Sequence, residues 1–124
     1  MSLFDLPIDE AKEPEVVPEG IYTVSIWSVD QRTAKSGRPM LVISLKNLSN
    51  PNGQMIYHNL LGVLPDDEPG TRNAILLNGK RFCKCFGLTP PLDPVAMEGA
   101  EGQVLLTVEE DNNGVPRNRI AKFL

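Results

Sequence analysis

The sequence has few of the residues that metal-dependent or covalent enzymes use. It contains one histidine, His58, and two cysteines, Cys83 and Cys85. The cysteines are two positions apart in a stretch with helical spacing, so their side chains point to nearly opposite sides and cannot easily form a disulfide or a metal site. No signal peptide and no apolar run long enough to span a bilayer is present. We therefore expect reduced thiols in a soluble intracellular protein, with no cofactor and no membrane partner.

The motifs of the common catalytic sites are also missing. Residues 35–37, Lys-Ser-Gly, have neither the preceding glycines nor the following helix of a Walker-type phosphate loop. The acidic residues 66–68 precede a predicted helix, and a solvated loop explains them better than a magnesium site. His58 falls on the inward face of a predicted strand, where a packed histidine is a simpler explanation than a metal ligand. We predict that the protein is not an enzyme.

The charge is unevenly distributed along the chain. The formal net charge is -4, which by itself argues against a polyanionic partner. Six of the 16 acidic residues, however, fall within residues 1–19, so the rest of the chain is close to neutral. We predict a flexible acidic leader, residues 1–19, which Phe4, Leu6 and Ile8 could pin onto a single domain formed by residues 20–124.

Alternating apolar residues predict three consecutive strands. In residues 20–29 the apolar side chains alternate with polar ones, and Trp27 falls on the polar face. A loop with three cations and no anion, residues 31–39, leads to a second strand that begins near Leu41. The third strand, residues 54–61, carries Tyr57 on its outer face. The three strands together predict an antiparallel meander.

A helix and two further strands follow. Residues 72–86 have apolar side chains at helical spacing, with Thr71 as a plausible N-cap and Gly87 as a natural stop. The proline-rich residues 89–101 form a predicted loop with a helical turn near residues 95–98. The last two strands are then predicted by their alternation and by the tight turn between them. They comprise residues 102–109, with Val108 inward, and residues 117–124.

The predicted order of elements indicates a known architecture. Strand, strand, strand, helix, strand, strand is the order of the OB-fold, a five-stranded barrel with a helix between strands three and four. Such barrels bind oligonucleotides on strands two and three and at the loops after strands one and four. We therefore predict an all-β fold with one inserted helix, arranged as an OB-fold barrel.

Five short motifs, taken in their order along the chain, resemble the bacteriophage-encoded OB-fold single-stranded DNA-binding proteins, many of which are known only as a domain of unknown function. The motifs are residues 17–22, 35–41, 57–60, 102–104 and 118–124. The resemblance implies sequence-tolerant binding of single-stranded DNA during phage replication or recombination, in the host cytoplasm, with replication proteins as candidate partners. Such proteins commonly end in an acidic tail that recruits those partners, whereas this sequence ends within strand five. Either such a tail was removed, or the acidic leader acts in its place, or the recruiting role is absent.

The candidate DNA-binding residues combine exposed rings with cations, because a single strand is held by its bases and its phosphates together. Trp27 and Tyr57 are the candidate stacking platforms. The candidate phosphate contacts are Arg32, Lys35, Arg38, Lys46, Arg117 and Arg119.

Two alternative functions stay open at this point. The acidic net charge, the sparse aromatic residues and the apolar Met40, Val42 and Met55 also suit an OB-like module for protein interaction or assembly, without DNA binding of its own. RNA is a second alternative ligand, because stacking and phosphate contacts do not read the sugar. A homo-oligomer formed through an edge such as strand five or through the leader is also compatible with the pattern.

Overall fold

The computed structural model describes residues 3–124. Its helices and strands are β1 (Gly20–Thr33), β2 (Pro39–Asn47), β3 (Ile56–Leu61), α1 (Pro69–Phe86), α2 (Pro94–Met97), β4 (Glu101–Glu110) and β5 (Pro116–Phe123). The mostly-β class, the order of the elements and the long helix after the third strand are confirmed. The short α2 lies where a helical turn was predicted.

The five strands form one antiparallel sheet in the order β3-β2-β1-β4-β5. β1 is long enough to pair with β2 along one part and with β4 along the other, and a bulge at Trp27 lies between Ile26 and Ser28. A closed barrel would also join β3 to β5. No ladder joins these two strands in residues 3–124, so the sheet is open along that seam.

The core lies on the inner face of the sheet, beneath α1. Of the residues of β1 and β2 that alternation predicts to point inward, Val24, Ile26, Ile43 and Leu45 are buried, and Tyr22 and Leu41 are partly buried against them. The helix can come close because β4 has a glycine there: a Cβ on Gly102 would lie 2.9 Å from the carbonyl oxygen of Cys85. The residues of this core cluster are Val17, Val24, Ile26, Ile43, Leu45, Ile56, Leu60, Phe82, Cys83, Phe86, Met97, Val104 and Leu106.

The start of α1 and the exposure of Val108 differ from the sequence-based predictions. α1 begins at Pro69 with Glu68 as its extended N-cap residue, whereas the predicted helix begins at residue 72 with Thr71 as the N-cap. A proline at the first helical position has its φ already set for a helix and has no N–H to leave unpaired, so it favours the earlier start. Val108, predicted to point inward, is exposed. Gly87 ends α1 in the left-handed conformation with φ 67°, as predicted.

The C-terminal end of the leader is held against the domain by Val17, which the sequence analysis did not identify as an anchor. Phe4, Leu6 and Ile8 are exposed and do not pin it to the domain. Val17 is buried instead, and Asn118 of β5 holds it at both backbone groups: the Asn118 Oδ1 accepts a hydrogen bond from the Val17 N–H at 2.9 Å, and the Asn118 Nδ2 donates to the Val17 carbonyl at 2.9 Å. The last residues of the predicted flexible leader therefore pack against the domain.

Replacing Asn118 by leucine is expected to destabilise the protein by about 2 kcal/mol, because the buried N–H and C=O of Val17 lose their partners. The leader can then separate from the core, which limits the cost. Amide hydrogen exchange checks the mechanism, since protection of the Val17 amide should fall more than that of the Val24 amide in the centre of the sheet. Equal loss of protection at both positions would indicate global destabilisation instead.

Candidate nucleic-acid interface

The sheet face opposite the core carries two exposed aromatic rings. Trp27 is 56% exposed and Tyr57 is 61% exposed. Tyr57 lies directly opposite Ser44 in the ladder between β3 and β2. Lys46 is two residues further along the same side of β2, and its Nζ lies 3.4 Å from the centroid of the Trp27 ring. We call the surface formed by Trp27, Ser44, Lys46 and Tyr57 the outer face.

The spacing of the two rings follows from the sheet. Trp27 is on β1 and Tyr57 on β3, with β2 between them. Strands in a sheet are about 4.8 Å apart, so the backbones that carry the rings are separated by roughly 10 Å across β2. Ser44, a small polar residue of β2, lies opposite Tyr57 on this face. The outer face thus carries two separate exposed rings, and the Lys46 ammonium group lies over one face of the Trp27 ring.

Two arginines extend the outer face across the β3–β5 seam. Arg117 and Arg119 line a cavity of about 390 Å³ together with Tyr57 and Met55. Each arginine has an acidic neighbour: the Arg117 Nε lies 3.3 Å from an Asp111 carboxylate oxygen, and the Arg119 Nε lies 3.2 Å from one of Glu109. Backbone N–H groups of the β4–β5 turn, more than Arg117, hold the pKa of Asp111 below its ordinary value.

The three cations predicted to cluster at the first hairpin turn lie in different surroundings. β1 continues to Thr33, so Arg32 is a strand residue, and its Nε lies 2.7 Å from a carboxylate oxygen of Asp30. Arg32 pairs with Met40 in register, on the same side of the sheet as the Ser28–Ser44 pair but further towards the turn. Lys35 is exposed in the turn, and no ion pair involves it in residues 3–124.

Arg38 forms a largely buried ion pair with Asp67. Its guanidinium forms two hydrogen bonds of 2.7 Å to the carboxylate of Asp67 and a third of 3.0 Å to the carbonyl of Gly62. The Asp67 side chain is only 6% exposed and also accepts a hydrogen bond from the Leu64 N–H. The interpretation of residues 66–68 as a solvated acidic loop is therefore wrong for Asp67. Its carboxylate connects the first hairpin turn to the segment before α1. Arg38 is therefore not available to a phosphate while this pair is intact.

This pair predicts an acid sensitivity. Hydrogen bonds from Arg38 and from the Leu64 N–H lower the pKa of Asp67 to about 2, below its ordinary value of 3.8. The depressed pKa means that the stabilisation is complete above about pH 4 and is lost as the pH falls towards 2. Urea unfolding of the wild type and of Asp67→Asn should therefore differ most at pH 5 and converge towards pH 2. Parallel stability curves over that range would contradict this role of the pair.

The remaining titratable candidates are packed or isolated. The His58 ring lies between Phe82 and Phe123, with a centroid distance of 5.1 Å to Phe123, and burial lowers the pKa of the imidazole. Cys83 and Cys85 are free thiols whose pKa values are raised by burial. Within residues 3–124 no group of three or more His, Cys, Asp or Glu side chains could hold a metal ion. No helix in this part of the chain is long and apolar enough to cross a membrane.

Sequence reasoning missed the acidic partners of the candidate cations. Asp30 is two residues before Arg32, so recognising that both lie in one strand would have placed them on the same side. Glu109 and Asp111 could have been paired with β5 by counting outward from the β4–β5 turn. Asp67 is 29 positions from Arg38, and no local pattern connects the two.

Comparison with known proteins gives one family. No curated protein matches the chain. The model of a protein family described as "Protein of unknown function (DUF669)" matches residues 4–114, a range that includes the leader from Phe4 onwards and the sheet as far as the β4–β5 turn. This chain of 124 residues is therefore a member of the DUF669 family.

Proposed function

We propose that the protein binds single-stranded DNA without sequence preference, along its outer face. The observation that carries this proposal is the grouping of Trp27, Lys46 and Tyr57 on one exposed sheet surface. Exposed rings stack on bases of any sequence, and cations beside them contact the phosphates. Arg117 and Arg119 at one side, and Arg32 and Lys35 towards the first hairpin turn, lengthen the surface on which a strand can lie. The protein would have no catalytic role.

Energetics support binding despite the acidic net charge. A base stacked on an aromatic ring contributes roughly 1–3 kcal/mol, so two rings provide most of a useful affinity. The pairs of Arg32 with Asp30 and Arg119 with Glu109 are well exposed. Exposed ion pairs are worth only about 0–1 kcal/mol, so a phosphate can replace the carboxylate at little cost. Arg38 is not included in the proposed site, because its partner Asp67 is largely buried and a phosphate cannot easily replace it.

The seam between β3 and β5 supports an OB-type arrangement. The Gln54 side chain just before β3 donates a hydrogen bond of 3.4 Å to the carbonyl of Pro116 at the start of β5. Further along, the His58 ring contacts Phe123. α1 lies under the same seam, where Phe82 and Phe86 pack against Phe123. We infer a barrel that is partly open between these strands, as OB-folds often are.

The proposed role is to coat unwound DNA, to keep it from pairing again and to shield it from nucleases. Duplex should compete poorly, because its bases are already stacked and cannot reach Trp27 or Tyr57. The resemblance to phage single-stranded DNA-binding proteins suggests phage replication or recombination as the setting, with replication proteins as partners.

The test is the fluorescence anisotropy of labelled oligo-dT of about 30 nucleotides, long enough for at least one site of the roughly 4–16 nucleotides usual for an OB-fold. Binding should weaken with salt by a logarithmic slope of roughly -0.7 for each neutralised phosphate, or about -2 to -3 for three to four contacts. The charge variant Arg117→Ala/Arg119→Ala should flatten this slope. Arg81→Ala, which removes an exposed cation of α1, is the control and should leave the slope unchanged.

Competition separates the remaining alternatives. Duplex DNA of equal length should not displace the labelled strand, whereas unlabelled oligo-dT should. Displacement by a matched RNA at lower concentration than DNA would identify RNA as the preferred ligand. Absence of binding even at low salt would contradict the proposal and favour the protein-interaction module, which the exposed apolar side chains of the leader would then serve.

A further inference from the structure

The leader presents apolar side chains that the domain does not cover. Leu3, Phe4, Leu6 and Ile8 are 61–90% exposed. Their segment, residues 3–10, ends in a single 3₁₀ turn and carries three carboxylates, from Asp5, Asp9 and Glu10. We call it the leader segment. Four large exposed apolar residues within six positions are more than a surface normally shows by chance, and such groups mark interaction sites.

A groove of matching character lies elsewhere on the domain. It runs between α1 and the end of β3, is closed on one side by the segment after α1, and has a volume of about 650 Å³. Two cations, Lys80 and Lys84, lie along it, and no aspartate or glutamate is among its lining residues. We call it the α1 groove. Its apolar lining includes Leu60, Leu61, Val63, Ile75, Leu76 and Leu88.

The apolar side of α1 is buried along only part of the helix. Phe82, Cys83 and Phe86 in its second half are buried in the core. In its first half, Leu76 is 49% exposed although it shares the apolar spacing of the helix. The apolar side of α1 thus continues past the core that it covers and forms one wall of the groove.

We infer that the leader segment of one copy docks into the α1 groove of a second copy. The chemistry of the two surfaces is complementary, since alternate apolar side chains meet an apolar channel and three carboxylates meet Lys80 and Lys84. The segment lies outside the groove of its own chain. The leader is fixed at Glu15, whose backbone pairs with Asn52 and Gln54 just before β3, whereas the groove is at the opposite end of that strand.

Such a contact is head-to-tail, because the two copies use different surfaces. A heterologous contact that does not close into a ring continues as an open chain of subunits. Chains of this kind would place successive proteins along a polymer, so self-association would make coating of single-stranded DNA cooperative. The docking itself does not depend on the proposed function, and it is tested without DNA.

Sedimentation velocity of the full chain over a range of concentrations tests the inference. The wild type should form dimers and larger species with rising concentration. The leader variant Phe4→Asp/Leu6→Asp and the groove variant Leu76→Asp should each associate at least about tenfold more weakly, since an aspartate cannot enter an apolar contact. Leu77→Asp is the matched control, because Leu77 is exposed on the same helix and does not line the groove.

Mixing the two defective variants gives the decisive result. The groove variant retains an intact leader segment and the leader variant retains an intact groove, so together they should form a 1:1 dimer and nothing larger. A wild type that remains monomeric at all concentrations would overturn the inference, including the case in which the segment occupies the groove of its own chain. If the leader variant and the groove variant both associated as strongly as the wild type, the inference would be overturned as well, because the contact would then lie on another surface.

Discussion

Replacing both Trp27 and Tyr57 by alanine is expected to weaken the binding of single-stranded DNA by about 2–6 kcal/mol, because each ring contributes roughly 1–3 kcal/mol of stacking. The lower limit corresponds to a loss of about 30-fold in affinity. Both side chains are exposed on the outer face, so the fold should be kept and thermal unfolding should change little. Fluorescence anisotropy with the labelled oligo-dT measures the loss, and the single variants show how it divides between the rings.

The matched control keeps the rings. Trp27→Phe/Tyr57→Phe retains two aromatic faces and should recover most of the affinity that the alanine variant loses. A change that acted only through the contact between Lys46 and Trp27 would instead be reproduced by Lys46→Ala alone. If the double alanine variant bound as tightly as the wild type, the outer face would not be the binding site.

Phe82→Ala is expected to cost about 3–5 kcal/mol in the free energy of unfolding. Phe82 is fully buried where the helix meets the seam, with its ring centroid 4.9 Å from that of Phe86 and 5.6 Å from that of Phe123. The substitution leaves a cavity that these rings and the strands around them cannot fill. Urea unfolding should show a lower midpoint with an unchanged slope if the native sheet is kept.

The control for this prediction is the same substitution at an exposed phenylalanine. Phe4 is 90% exposed in the leader segment, so Phe4→Ala should alter the stability of the monomer by no more than about 0.5 kcal/mol. Measurements at low concentration keep self-association from adding to the result. A loss below about 1 kcal/mol for Phe82→Ala would mean that α1 does not close the core as described.

The elements were predictable because each one has a local signal. Alternation of apolar residues indicated β1 and β2 and placed Val24, Ile26 and Ile43 inside and Trp27 outside, since side chains of a strand point to opposite faces in turn. Gly87 marked the end of α1, because glycine adopts the left-handed conformation without strain. The alternation rule failed at Val108, which is exposed. Alternation predicts which side of the sheet a residue faces, but not whether another element covers that side.

The candidate site was predictable only in part. The outward positions of Trp27 and Tyr57 follow from strand periodicity. The acidic partners of Arg32, Arg117 and Arg119 depend on where strands begin and how they pair, which local patterns predict poorly. Arg38 was indistinguishable in sequence from its neighbours in the first hairpin turn. Its bond to Asp67 forms only when that turn meets the segment before α1, so it could not be inferred from spacing.

The sequence by itself determined the mostly-β class, the order of strands and helix, the near-neutral domain with an acidic leader and the alternation that exposes two aromatic rings. These properties depend on neighbours within a few residues, where backbone geometry acts directly. The tertiary structure alone decided that Arg38 is engaged by Asp67, how Val17 and Asn118 join the leader to β5, where the sheet stays open and how α1 forms an apolar groove. Those features arise from contacts between distant segments, whose free energy depends on packing and desolvation that no local pattern records.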